Sequence, residues 1–146
     1  MWQRVQTLYL ALATILIGVM FFSAKAVIYD AQGAVQETFT FTAYLPYLIL
    51  LVIIELLNIL ALTTYKHRIF QMRTAALSGI ITLALQGWLV VDFVLTHDTM
   101  VFRVMALFPL FAAIFDFMAV RGILSDQMIV EAADSLRRSR RDRRKK

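Results

Sequence analysis

The sequence predicts an all-α membrane protein: a four-helix transmembrane bundle with a small extracytoplasmic β-hairpin and a C-terminal amphipathic cytoplasmic helix. Three observations predict it. Of the 146 residues, 60% are hydrophobic and 17% charged, with a mean hydropathy of +0.71; a water-soluble domain carries about 45–50% and about 25%. The apolar residues gather into four runs, each near the roughly 20 residues that cross a hydrocarbon core as a helix. The cationic residues fall almost entirely to one side of those runs.

The four spans run approximately over residues 5–22, 44–62, 75–95 and 101–120, and residues 1–121 form the membrane domain. The first three need only length and hydropathy. The fourth contains Arg103, Pro109 and Asp116 and is less uniform. The first run resembles a signal peptide, with Arg4 before it and Ser23-Ala24-Lys25-Ala26 after it. Its apolar stretch exceeds the usual ~7–15 residues and Lys25 interrupts the cleavage-like site, so a retained helix is expected.

Positive charge orients the spans. Arg4 precedes the first. Lys66, Arg68 and Arg73 lie between the second and third, and nine Lys/Arg follow from Arg121, which puts thirteen of fifteen on one face. Only Lys25 and Arg103 remain on the other. Both termini are therefore expected in the cytoplasm.

On the opposite side, residues 26–42 are expected to form a hairpin. Asp30-Ala31-Gln32-Gly33 is a turn signal, and Thr38, Thr40 and Thr42 alternate with Phe39 and Phe41. That hairpin reads as a lid over the helix ends or as a docking strand for an extracytoplasmic partner. The second connection on this side, Thr96 to Met100, reads as a tight link.

Polar residues inside the spans are few. An ionised side chain at mid-bilayer costs about 3 kcal/mol on insertion scales, so such groups face other helices. Glu55 lies near the middle of the second span, and Asn58 is one turn away on the same face. Gln86 is expected at matching depth in the third span, with Thr82 one turn away, and Thr14 is a further candidate. Glu55, Asn58, Thr82 and Gln86 thus predict an intramembrane polar seam. It either fixes helix register by hydrogen bonding, with a neutral Glu55, or lets Glu55 carry a proton or cation. Asp92 and Arg103 are expected to form an ion pair across the third and fourth helices, and Asp116 to pair with Arg4 or Arg121.

After Gly122, residues 122–146 read as an amphipathic cytoplasmic helix. Leu124, Met128, Ala132 and Leu136 recur every four residues, opposite Asp126, Glu131, Asp134 and Arg137. It ends in a polybasic cluster: Arg137, Arg138, Arg140, Arg141, Arg143, Arg144, Lys145 and Lys146. Anionic headgroups attract such a cluster by about 1 kcal/mol per residue. Ribosomal RNA or an acidic protein surface would also suit it, but no aromatic residues interleave for base stacking.

The chain ends resemble a known pattern. Gln3, Arg4 and Gln6 match a Gln-Arg-x-Gln start. Arg121, Gly122, Ile123 and Asp126 match an Arg-Gly-Ile-x-x-Asp exit, and Asp134 and Arg137 an Asp-x-x-Arg element. The pattern resembles an uncharacterised family of small four-helix inner-membrane proteins of Bacteroidota. Ser125 and Gln127 depart from it, standing where such sequences tend to carry charge. The resemblance implies four spans and an inner-membrane home, and brings no activity.

With no cysteine, two separated histidines (His67, His97), and no phosphate loop, His-Glu-x-x-His or nucleophile elbow, no catalytic centre, metal or cofactor is expected. The leading expectation is a non-enzymatic accessory or scaffold subunit, bound to a membrane-protein partner or to itself. A small proton- or ion-coupled transporter using Glu55 is the alternative, and a membrane-insertion or ribosome-proximal factor using the tail is a further one.

Overall fold

The computed structural model describes the backbone of residues 2–143 and the side chains of residues 5–138. Four helices and a small sheet alternate along it: α1 (Trp2–Met20), β1 (Ala24–Tyr29), β2 (Val35–Thr40), α2 (Leu45–Thr63), α3 (Arg68–Thr96), β3 (Val101–Phe102) and α4 (Phe108–Arg143). Three helical stretches, Leu45–Thr63, Arg68–Thr96 and Val104–Arg138, are long and apolar enough to cross a membrane; the apolar part of α1, Val5–Met20, is shorter.

Local chemistry sets the boundaries. Pro46 sits in the first turn of α2, where its missing N–H costs nothing. At the far end the Thr63 hydroxyl donates to the Ile59 carbonyl at 3.0 Å and Thr64 to that of Leu60, quieting carbonyls the helix leaves open. Pro109 likewise occupies the first turn of α4 rather than a helix interior, and a short 3₁₀ stretch, Val104–Leu107, precedes it. The fourth helix therefore starts at Phe108, and Arg103 lies before it, exposed and outside any helix.

The expected hairpin is the larger part of a three-stranded sheet, ordered β2-β1-β3. Gly33 turns it with a φ of 78°, the left-handed conformation that glycine adopts without strain. Asp30 assists by accepting the Ala31 N–H at 2.7 Å on its carboxylate. The connection after α3 is more than a tight link. It folds back so that Val101 and Phe102 pair with Val27 and Ala26, and the Arg103 N–H reaches the Lys25 carbonyl at 2.9 Å.

One ion pair seats the sheet on the helices. Lys25 of β1 reaches the Asp92 carboxylate of α3, and the Tyr47 hydroxyl of α2 donates to the same carboxylate at 3.1 Å. The ammonium also lies 5.1 Å from the Tyr47 ring and 5.7 Å from that of Phe102. Asp92 is thus paired with Lys25 and not with Arg103. Ala26 and Val27 of β1, and Phe41 just after β2, are buried.

Below it, α1 packs on α2 and α4, and α3 packs on α2 and α4. Two apolar clusters fill the interior. One, near the sheet, includes Ile17, Phe41, Tyr47, Leu51, Ile54, Leu85 and Ala112; the other, at the opposite end, is Leu10, Ala61, Ala75 and Ala119. Small residues permit the close approach of α3 and α4: a Cβ on Gly79 would meet Phe117 at 3.2 Å.

No separate C-terminal helix exists. α4 runs unbroken for 36 residues, about 54 Å at the helical rise, and its latter half leaves the packed helices as an arm. Gly122 lies within this helix and leaves room for Gln6, which a Cβ there would meet at 2.9 Å.

Replacing Asp92 with Ala would strand the Lys25 ammonium and the Tyr47 hydroxyl together. The pair is partly exposed, with relative side-chain exposures of 13% and 25%. The expected loss is therefore about 1–3 kcal/mol, below that of a fully buried pair. Hydrogen exchange in detergent should show faster exchange of the β1 amides with little change in α2. Unchanged β1 protection would mean that the clamp does not hold the sheet.

Candidate functional site

The two apolar clusters are separated by a polar layer. Helical spacing puts it there: Asn58 falls between Ile54 and Ala61 on α2, Ser78 and Thr82 between Ala75 and Leu85 on α3, and Asp116 between Ala112 and Ala119 on α4. Asn58, Ser78, Thr82 and Asp116 are all fully buried.

The layer is only partly satisfied. Ser78 donates its hydroxyl to Asn58 Oδ1 at 2.8 Å, joining α3 to α2. Thr82 donates to the Ser78 carbonyl on its own helix at 2.8 Å. Asn58 Nδ2 and both oxygens of Asp116 have no hydrogen-bond partner. The Ser78 hydroxyl also lies within hydrogen-bond reach of the Asp116 carboxyl, so its single proton can serve Asn58 Oδ1 or Asp116 but not both at once. Asp116 packs its Cβ against Gly79 of α3 and has no cation beside it among the described residues; Arg121 is exposed, so the expected Asp116–Arg121 pair does not form. The Arg4 side chain lies outside the described residues.

Of the expected seam of Glu55, Asn58, Thr82 and Gln86, only Asn58 and Thr82 fall in this layer. Glu55 turns toward α1, where its Oε1 lies 3.7 Å from the position of a Cβ on Gly18, and its Oε2 has no partner. Asn58 turns instead toward α3. Its partner Ser78 fixes the antiparallel register, which places Gln86 toward the sheet rather than opposite Glu55. There Gln86 Oε1 accepts the Leu110 N–H at 3.2 Å, quieting one of the open donors in the first turn of α4. Thr14 donates to the Leu10 carbonyl of its own helix at 2.8 Å.

Chemically the layer offers a carboxyl, a hydroxyl and an amide from three helices with no counter-ion. A proton on Asp116 would remove its charge and supply a donor. Among the described residues no group of three or more His, Cys, Asp or Glu side chains could hold a metal ion. Sequence reasoning missed Ser78 and misplaced Asp116. The four-residue offset between Ser78 and Thr82 was the available signal, since it extends the polar face of α3 by a turn.

The basic cluster has Arg137 and Arg138 exposed on the α4 arm. The side chains of Arg140, Arg141 and Arg143, and the whole of Arg144, Lys145 and Lys146, lie outside the described residues.

The start of α1 meets the middle of α4 at the pole opposite the sheet. Gln6 Nε2 donates to Asp126 Oδ2 at 3.0 Å, over the space left by Gly122. The conjunction ties the beginning of α1 to α4, and both segments lie within the stretch that a family model matches. That model, Domain of unknown function (DUF4293), covers residues 2–136. The chain belongs to the DUF4293 family. No curated protein and no solved structure matches this DUF4293 chain.

Replacing Ser78 with Ala would leave Asn58 wholly unpartnered, and should lower stability by about 1–3 kcal/mol. Replacing Asp116 with the near-isosteric Asn removes any charge and adds donors, and should leave the melting temperature in detergent equal or higher. A marked fall for Asp116→Asn would show that the carboxyl has a partner in the folded protein.

Proposed function

We propose that this protein is an integral, four-span protein of a bacterial inner membrane, with both termini cytoplasmic, acting as a non-enzymatic accessory or scaffold subunit. Its long helices support the membrane reading. Only 28% of each apolar window is buried within the protein, so most of that apolar surface faces outward, as hydrocarbon requires. Arg4 in the first turn of α1, Lys66, Arg68 and Arg73 around the α2–α3 turn, and Arg137 and Arg138 on the arm belong to segments at one pole, which supports the orientation.

One observation carries the scaffold reading. The α4 arm leaves the packed helices with Leu124, Met128, Ile129 and Leu136 at 46–66% exposure. An apolar stripe on a projecting helix is uncovered surface suited to a partner helix, either on another membrane protein or on a second copy. The polybasic end would hold this arm near anionic headgroups.

A transport reading has its own support in the unpartnered carboxylate oxygens of Glu55 and Asp116, since ionisable groups within spans often mark proton or cation paths. Glu55→Gln separates the two. The scaffold reading expects normal protein levels and unchanged assembly, whereas loss of a proton-dependent phenotype at normal levels would favour transport.

The direct test is a mild-detergent pulldown of the full chain with mass spectrometry. A co-purifying protein, or a second copy, should be lost when Met128 and Ile129 are both replaced by Glu. If nothing is recovered above background with the unaltered chain, the accessory-subunit reading fails.

A further inference from the structure

Where the arm leaves the packed helices there is an open groove of about 910 Å³. Its floor is the turn between α2 and α3 and the first turns of α3; its far wall is α4 around residues 127–131. Lys66, Arg68 and Arg73 line it beside the apolar side chains of Ile69, Phe70 and Val130. Ile69, Phe70 and Val130 are about half exposed, so the apolar wall is open rather than covered by protein.

The charges are unequal. Three cations face the groove against one carboxylate, Glu131, and Gln127 Nε2 already donates to that carboxylate at 3.4 Å. Among the described residues, none of Lys66, Arg68 and Arg73 has an ion-pair partner. Cations clustered beside an apolar wall complement a ligand with an anionic end joined to an apolar one. An acidic peptide would match the charge alone, and a free phosphate would leave Phe70 and Val130 uncovered.

We propose that this groove is a binding site for one anionic phospholipid, with its phosphate among Lys66, Arg68 and Arg73 and its proximal acyl chain along Ile69, Phe70 and Val130. The site is distinct from the polybasic end of α4, which can attract headgroups only as a diffuse charge. The inference rests on the membrane reading above, because the groove then lies at the cytoplasmic headgroup level. Occupancy would brace the root of the arm against the α2–α3 turn, and so set the direction in which the arm projects.

Native mass spectrometry of the full-length protein in detergent, titrated with phosphatidylglycerol or with phosphatidylethanolamine, tests this. One tightly bound phosphatidylglycerol is expected, with phosphatidylethanolamine at least about tenfold weaker. A tail variant with all eight basic residues from Arg137 onward changed to Gln should keep that lipid. The triple variant Lys66→Gln, Arg68→Gln, Arg73→Gln should weaken it by about tenfold or more, and the single variant Arg73→Gln should do so in part if the triple variant misfolds.

Equal binding of the two lipids, loss of binding in the tail variant, or unchanged affinity in a folded groove variant would each overturn the proposal. So would full displacement by soluble glycerol phosphate at equal concentration. Alkaline carbonate extraction of cell membranes is scored separately. Release of the protein there defeats the membrane reading itself, whereas retention without lipid preference defeats only the groove.

Discussion

The structure depends on a contact that gathers three of its pieces onto one carboxylate. Asp92, near the end of α3, takes the Lys25 ammonium from β1 and the Tyr47 hydroxyl from α2. Phe102 of β3 closes the ammonium from another side. None of these partners could be left alone cheaply, since a charge shielded by aromatic rings loses hydration that only an opposite charge or dipole restores. The strand that carries Lys25 is also the central one: β2 pairs along one edge of β1, and Val101 and Phe102 along the other. Trp88 and Tyr44 pack edge-on around Tyr47 and complete an aromatic collar at this pole.

The opposite pole is held by a neutral-to-charged hydrogen bond, Gln6 to Asp126, seated over Gly122. Between the poles the helices keep register through a layer whose hydrogen bonds are fewer than its polar groups need. Asn58 and Ser78 satisfy one another in part, while Asp116 must share the Ser78 hydroxyl with Asn58 and has no cation beside it among the described residues. Such a group costs stability in a packed interior, and a residue that costs stability is a place to look for function. Chemistry at this layer would involve Asp116 before Glu55, because Glu55 is only half-buried and turns away from the layer toward Gly18 of α1.

Hydropathy and length made the helices legible, because a long apolar run has few other folds available to it. The turn at Asp30–Gly33 was legible for a similar reason: glycine relieves a left-handed residue that others resist. Three features were hidden. A two-residue strand such as Val101–Phe102 has no periodicity to read. Pro109 and Gly122 look like breaks, yet one sits harmlessly in a first turn and the other is a seat for Gln6. The partner of Asp92 could not be chosen by proximity in sequence, since Arg103 is near along the chain and Lys25 is far. Depth counting from span edges also failed for Gln86, because α3 begins at Arg68, well before its apolar stretch, and its register is set by Ser78 against Asn58.

The central claim is that the sheet pole and the arm pole lie on opposite sides of a membrane, with the arm inside. The natural absence of cysteine makes this directly measurable. Single cysteines at Gln32, in the hairpin turn, and at Ser135, on the arm, would be exposed to a membrane-impermeant maleimide in intact spheroplasts and after lysis. The account predicts labelling at position 32 in intact spheroplasts and at position 135 only after lysis. Labelling of position 135 in intact spheroplasts, or of both positions together, would contradict it.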